Sequence, residues 1–332
     1  MTPAPTPLLA VQIVTWNHAD EIGACLASLR AQTHDGFETI VLDNASRDAS
    51  ADRAEAALAG AAGARVVREP SNRGFCGGHN RALALSRAPW VLLLNPDATL
   101  PPDFVARFAA VAAALPSDVG TVAPLILRPD GTIDSSGLFL DAFRRVYDRG
   151  QGERPSAALR EEDVFGCTGA VAIHRRAMLE DVAEEGLALD ERLFAYYDDL
   201  DLAWRAQLRG WRCRFVPSLV AEHARAGRNA VRSGERTGRV HEQRLAVRNR
   251  LLVLLKCERA RDALVALPRL LPYELARLAY VALRAPGSLP AYADALRAAP
   301  AIWRSRRLVH GRARPERLLA SPFFPHRPRE SA

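Results

Sequence analysis

The chain has 332 residues, 48% hydrophobic and 25% charged, which allows a sizeable core and excludes global disorder. Its net charge of +7 is unevenly placed: residues 1–256 carry 31 Arg and Lys against 32 acids, whereas residues 257–332 carry 14 Arg against 6. Five widely spaced cysteines without a CxxC pair argue against a zinc ribbon or a disulfide framework and fit a reducing compartment.

Short, nearly continuous apolar runs at 8–16, 39–42, 64–68, 90–94 and 119–123 predict strands buried on both faces of a parallel sheet. Between them, residues 21–31, 49–59, 79–86 and 102–114 are long enough for crossover helices. The alternation predicts an α/β fold with a doubly wound, mostly parallel sheet and right-handed crossovers. A less regular stretch follows at 125–163, then a Gly-rich strand-like run at 166–173, a helix at 199–209 and a strand at 211–216. Helices are predicted at 239–257, 260–283 and 290–307, before an irregular Pro- and Arg-rich end. The charge shift suggests a main domain over 1–256 and a basic helical extension over 257–332. No Arg or Lys precedes Arg30, and no run of about 18 apolar residues occurs, so a cytoplasmic protein is expected.

In open α/β sheets ligands bind outside the carboxyl ends of the strands. The first strand ends at Thr15-Trp16-Asn17, the second at Asp43-Asn44, and the fourth at Asn95-Pro96-Asp97. Asp43 and Asp97 either cap the following helices or serve a ligand, Asp43 by accepting hydrogen bonds from a base or ribose and Asp97 by binding a metal that holds a diphosphate. The segment from Asn72 to Asn80 reads as a glycine-rich loop opening a helix, suited to a tight turn or to close approach of a nucleotide. Three acids in four residues, Asp198, Asp199 and Asp201, follow Tyr196 and Tyr197. They either complement a helix N-terminus or include a carboxylate raised in pKa to act as a general base.

Taken together, IVTWN (13–17), VLDNASRDAS (41–50), NRGFCGGHNRAL (72–83), LLLNPDA (92–98), GCTGAVAIHRRAM (166–178), the segment from Tyr196 to Pro217, VAEH ending at His223, and VRNRLLVLLK (247–256) resemble the inverting family 2 glycosyltransferases of GT-A fold. The similarity is to the rhamnosyltransferase-like branch and covers roughly residues 8–256 in collinear order. It implies that Asp43 binds the base and ribose of a nucleotide sugar, with Thr15, Asn17, Asn44, Asn72, Gly74 and Asn95 around the donor. Asp97 takes the place of the last acid of a DxD motif whose first position is here Asn95, and His223 is either a further metal or phosphate contact or the ordinary partner of a neighbouring polar group, the metal being Mg²⁺ or Mn²⁺. The motif's usual Ser after this histidine is missing from 224–228. Asp199 falls on the catalytic base, while Asp198, Asp201, Gly169 and Ala170 lie on the acceptor side. The implied reaction moves a sugar from a dTDP- or UDP-sugar, rhamnose among them, to a hydroxyl of a glycan or lipid-linked acceptor. The alternative is a related scaffold that binds a nucleotide sugar or glycan without turnover.

Leu264, Leu267, Leu271, Leu275, Leu278 and Val281 recur at helical spacing, interrupted by Pro268 and Pro272, which should kink or divide the helix. The stripe either packs on the core or lies in an anionic membrane surface, with Arg269, Arg277 and Arg284 toward headgroups and Tyr273, Tyr280 and Trp303 near the interface. A nucleic-acid partner would explain the basic tail but not the acids, and is not expected.

Overall fold

The computed structural model describes residues 6–225 and 236–314. The stretch after Arg225 and the Pro- and Arg-rich end beyond Arg314 lie outside the described residues. The chain builds a ten-stranded mixed sheet whose first half is parallel, as the continuous apolar runs predict. Strand β1 (Leu9–Thr15) pairs in parallel with β2 (Phe37–Asp43) and with β4 (Trp90–Leu94), and β2 pairs with β3 (Ala64–Arg68). Helices α1 (Ile22–Arg30), α2 (Ser50–Leu58) and α3 (Gly74–Ala84) make the crossovers. In α1 the buried side chains Ile22, Cys25, Leu26 and Leu29 stand at three- and four-residue spacing, one face of a helix. The third strand departs from expectation: it is the sheet edge and its side chains are only partly buried.

After β5 (Ala98–Thr99), α4 (Phe104–Ala114) and β6 (Val119–Leu127), the irregular region forms β7 (Ile133–Ser135), a small hairpin of β8 (Leu138–Leu140) and β9 (Val146–Asp148), and β10 (Glu162–Val164). The Gly-rich run is a loop as far as Ala170; strand β11 is Val171–Arg175 and is antiparallel between β4 and β6. Its reversed direction brings that loop to the rim where β1, β2 and β4 end. Helix α5 (Arg176–Val182) leads to α6 (Asp198–Arg209), and β12 (Arg212–His223) runs twice as long as predicted, parallel to β6.

Leu9, Val11, Ile13, Trp90, Leu92 and Leu94 pack on one face of the sheet with α1 and α4, whereas Val91 and Leu93 pack on the other with α6. That alternation within one apolar strand is what burial on both faces requires. The second core also takes Leu252 and Val253 from α7 (Arg236–Cys257) and Ile302 and Val309 from α9 (Pro290–Gly311), so residues beyond 256 help close it. Between these helices, α8 (Ala260–Arg284) is one helix containing both Pro268 and Pro272, not two. Its apolar stripe is exposed except for Val281, and Tyr273 and Arg277 are half-buried rather than turned out. All five cysteines are buried and free, and no described helix is long and apolar enough to cross a membrane.

Candidate active site

Thr15 and Asp43 are register partners at the ends of β1 and β2. Both are buried, and Thr15 Oγ1 and Asp43 Oδ1 have no hydrogen-bond partner. The other Asp43 oxygen accepts from Ser46 N–H at 3.1 Å, so no helix cap uses it up. Two orphaned buried oxygens side by side are costly unless a ligand meets them. Asn17, at φ 59°, accepts from Arg47 N–H at 2.8 Å and braces the loop after β2. Asn44 is committed to structure: its amide donates to Gly74 O at 2.9 Å and accepts from Arg73 N–H at 3.0 Å.

The predicted glycine-rich loop is instead the first two turns of α3, which begins at Gly74. Asn72 Oδ1 accepts from Gly74 N–H at 2.8 Å, and Gly74 has φ +71°. A Cβ there would stand 2.5 Å from Phe194 O, and one on Gly78 would stand 2.6 Å from Val14 Cγ1. These glycines therefore let α3 press against β1 and against the segment entering α6.

That segment is strained. Phe194, Tyr196 and Tyr197 all have positive φ (66°, 69° and 67°), a conformation costly for bulky side chains. The fully buried Asn249 of α7 holds it, with its amide nitrogen 2.8 Å from Leu193 O, 2.9 Å from Ala195 O and 2.8 Å from Tyr196 O. Asn249→Ala removes this donor from the Ala195 and Tyr196 carbonyls, while Leu193 O keeps Ala195 N–H and Arg248, and is expected to cost about 1–3 kcal/mol, measurable as a lowered melting temperature.

Asp198, Asp199 and Asp201 occupy the first turn of α6 but have separate environments. Burial, then the neighbouring Asp199 charge, pushes Asp198 up to about 8. Burial also raises Asp199, to about 6, against the lowering effect of hydrogen bonds from the backbone at Leu200 and Gly169. Two adjacent carboxyls so raised titrate as a pair. Asp199 stays partly exposed and accepts from Leu200 N–H at 2.7 Å. Across from the pair, the Gly169 position is so close that a Cβ there would be 3.5 Å from Asp198 Oδ2. Ala170 O accepts from Asn95 N–H at 2.8 Å, linking this wall to the end of β4.

Asp201, expected on the acceptor side, is turned away from the rim. It is fully buried, with Oδ1 2.6 Å from Lys256 Nζ and Oδ2 2.8 Å from Arg205. Lys256 also meets Asp190 at 2.6 Å and Glu184 at 3.2 Å, and Arg205 donates to Val182 O and Ala188 O. Burial disfavours the ammonium, but Asp201 and Asp190 more than reverse this and hold Lys256 above its ordinary value.

At the other end of the rim, His223 Nε2 lies 3.2 Å from Asp97 Oδ1 and 3.4 Å from Asn95 Nδ2, while Nδ1 lies 2.9 Å from Asp134. Arg225 also pairs with Asp134, and Arg128 does so at 3.1 Å. Burial opposes charging His223, yet the hydrogen bonds and charges of Asp134 and Asp97 raise it to about 9. A divalent cation would have to displace the His223 proton held against Asp97; the two would then supply a carboxylate and an imidazole, with Asp134 orienting that imidazole as metal-bound histidines commonly require. Among the described residues no group of three or more His, Cys, Asp or Glu could hold a metal, so an ion here would draw its remaining ligands from a bound diphosphate and water.

Asn249, Lys256 and Asp134 had no assigned role at the sequence level. Lys256 carried a signal, as the one lysine among 45 basic residues, but it was absorbed by the arginine bias. Asn249 lay inside a resembling string without a function, and Asp134 in no motif.

Residues 10–182 match the family model for glycosyl transferase family 2. The chain belongs to that family. Among curated proteins this family 2 glycosyltransferase is similar to a rhamnosyltransferase. It is 27% identical over 245 residues to N-acetylglucosaminyl-diphospho-decaprenol L-rhamnosyltransferase of Mycobacterium tuberculosis, covering 67% of this chain and 77% of the relative. It is 29% identical over 235 residues to the succinoglycan biosynthesis protein ExoU of Rhizobium meliloti, covering 66% and 62%. In fold it is similar to the mannosyltransferase PcManGT from Pyrobaculum calidifontis, solved with GDP-Man and Mn²⁺, at TM-score 0.53 and 21% identity over 93% of this chain and 85% of that one. It is also similar to S. aureus TarS 1–349 with UDP-GlcNAc, at TM-score 0.58 and 17% identity over 91% and 90%. These neighbours share the GT-A fold.

Proposed function

We propose that this family 2 glycosyltransferase transfers a deoxyhexose or hexose from a dTDP- or UDP-sugar, with inversion, to a hydroxyl of a lipid-linked glycan on the cytoplasmic face of the membrane. The observation that carries the donor site is the pair of orphaned oxygens on Thr15 and Asp43, at the strand ends beside the Asp97–His223 pair. The name of the mycobacterial relative, a rhamnosyltransferase acting on a diphospho-decaprenol acceptor, supports rhamnose and a lipid-linked acceptor.

In the proposed reaction Asp43 and Thr15 accept hydrogen bonds from the base and ribose and fix the nucleotide's depth in the rim. Asn17 and Asn72 hold the surrounding turns, and Asn44 ties the β2 loop to α3, so that this end of the site is set before the donor arrives. Asp97 and His223 would hold Mg²⁺ or Mn²⁺, which when bound neutralises charge on the diphosphate. Asp199 takes the proton of the acceptor hydroxyl as it attacks the anomeric carbon; Asp198 carries a proton in the neutral range and leaves Asp199 as the free carboxylate. Gly169 and Ala170 leave space on the acceptor side because neither brings a bulky side chain. A single base opposite the leaving group gives direct displacement and hence inversion.

Asp97→Ala is expected to weaken dTDP- or UDP-sugar binding and Mn²⁺ binding together, because one carboxylate serves both. Calorimetric titration of the nucleotide with and without Mn²⁺ measures this directly. A variant whose affinity and whose response to Mn²⁺ both match wild type would remove Asp97 from the metal role.

A further inference from the structure

Helix α8 buries only Ala266 and Val281 and turns most of its leucines outward. Its inner side carries Glu274, which accepts from the buried Arg250 at 2.6 Å, and Tyr273, whose ring meets the guanidinium groups of Arg145, Arg250 and Arg277 at 5.8, 5.4 and 5.9 Å. Its outer side carries Leu264, Leu267, Leu271, Leu275, Leu278 and Leu283, all exposed, with Leu264 at 71%, Leu275 at 58% and Leu283 at 80%. A helix on a globular surface in water shows the opposite pattern, apolar side in and polar side out. Contiguous apolar patches of this kind mark contact with a partner or a membrane.

We infer that this outer face of α8 lies in the interfacial layer of an anionic lipid membrane. The inference deepens the proposal of a lipid-linked acceptor and rests on it for its purpose, though not for its evidence. Charge decides the occupant. Arg261, Arg269 and Arg284 are exposed along the same helix, within a segment of 14 Arg against 6 acids. A second copy of the chain would bring like charges together, whereas an anionic leaflet complements them. No described helix is apolar enough to span a bilayer, so α8 lies along the surface with its leucines among the upper acyl chains. Both prolines lie on the exposed side with the leucines. A nearby leaflet would place the transferase at the depth of a lipid-linked substrate's head.

The test is flotation of the full chain with vesicles of phosphatidylcholine alone or mixed with phosphatidylglycerol. Substitution is preferable to removing the segment, since Ile302 and Val309 of α9 close the core. The full chain should float with the anionic vesicles at low salt and less at high salt. Leu264→Ser/Leu271→Ser/Leu275→Ser should cut partitioning by at least about a hundredfold. Arg269→Gln/Arg284→Gln should lower it about fivefold per arginine on anionic vesicles and leave neutral ones unaffected. Full chain that ignores anionic vesicles at low salt overturns the inference, as does a vesicle-free dimer, seen by sedimentation, that the triple serine variant dissociates. Donor calorimetry on the same proteins without vesicles separates the two readings. Wild type that floats but binds no nucleotide sugar would overturn the proposed transferase site alone, and wild type that binds donor but never floats would overturn the membrane face alone.

Discussion

Asp199→Asn is expected to reduce sugar transfer by about 10²–10⁴-fold while nucleotide-sugar affinity stays near that of the wild type. The amide keeps the size and polarity of the carboxylate but cannot take the acceptor proton. Its place explains why this acid and not its neighbours: Asp199 is partly exposed beside the Gly169 wall, Asp198 is buried and raised further in pKa, and Asp201 is locked between Lys256 and Arg205. Wild-type transfer should fall as pH drops through the apparent value near 6, where Asp199 gains a proton. Stability should move the opposite way. A carboxyl whose folded pKa is raised destabilises the fold as pH rises from its unfolded value through its folded one, because the unfolded chain then binds fewer protons. Asp199→Asn should therefore melt higher than wild type at pH 8, with the gain vanishing near pH 4. Separate measurement of donor binding, turnover and melting decides the matter; full turnover in the variant would remove Asp199 as the base, and Asp198 would be the remaining acid of the pair. Asp43→Asn is the natural comparison, raising donor KM more than it lowers kcat.

Lys256→Met should cost about 3–5 kcal/mol of stability, the usual consequence of removing one partner from a buried ionic group. The ammonium is fully buried and reaches Asp201, Asp190 and Glu184, so its loss leaves excess negative charge under α6. Methionine keeps the length of the side chain and much of its packing, which confines the change to charge. The variant's deficit should shrink at acid pH, where the abandoned carboxylates can be protonated. In the wild type the ammonium is held above its ordinary value, so its stabilisation is complete below about pH 10 and is lost only as pH rises through the folded value. Denaturant unfolding of both proteins at pH 5 and pH 8 checks the acid-side statement. A variant as stable as wild type at pH 8 would show that the three acids are satisfied without the lysine.

The sheet was legible because the hydrophobic pattern of strands such as β4 reflects burial on two faces, a local property of five consecutive residues. The acids at the strand ends were legible for the related reason that a carboxylate following such a run needs an explanation. What the pattern concealed was contact between distant residues. Gly77 and Gly78 read as a loop because glycine disfavours helices, yet close packing of α3 on β1 outweighs that preference. Asp201 read as a member of an acidic cluster, and only Lys256, brought in by α7, makes it a buried ion-pair partner. Asp134 sits 89 residues from His223 in sequence, so nothing nearby announces the 2.9 Å contact. The outward face of α8 was visible as a stripe, but its direction depends on where Glu274 and Tyr273 find partners.

The clasp of Asn249 on the strained turn before α6 also sets an order of events during synthesis. Asp198 and Asp199 emerge from the ribosome before the asparagine that holds their turn and the lysine that anchors their helix. Because N-terminal parts of a chain are made and can begin folding first, the ends of β1 and β2 can take shape while the turn before α6 still lacks its holder. A chain that ends before α7 lacks both Asn249 and Lys256, so the strained turn and the helix after it have neither partner.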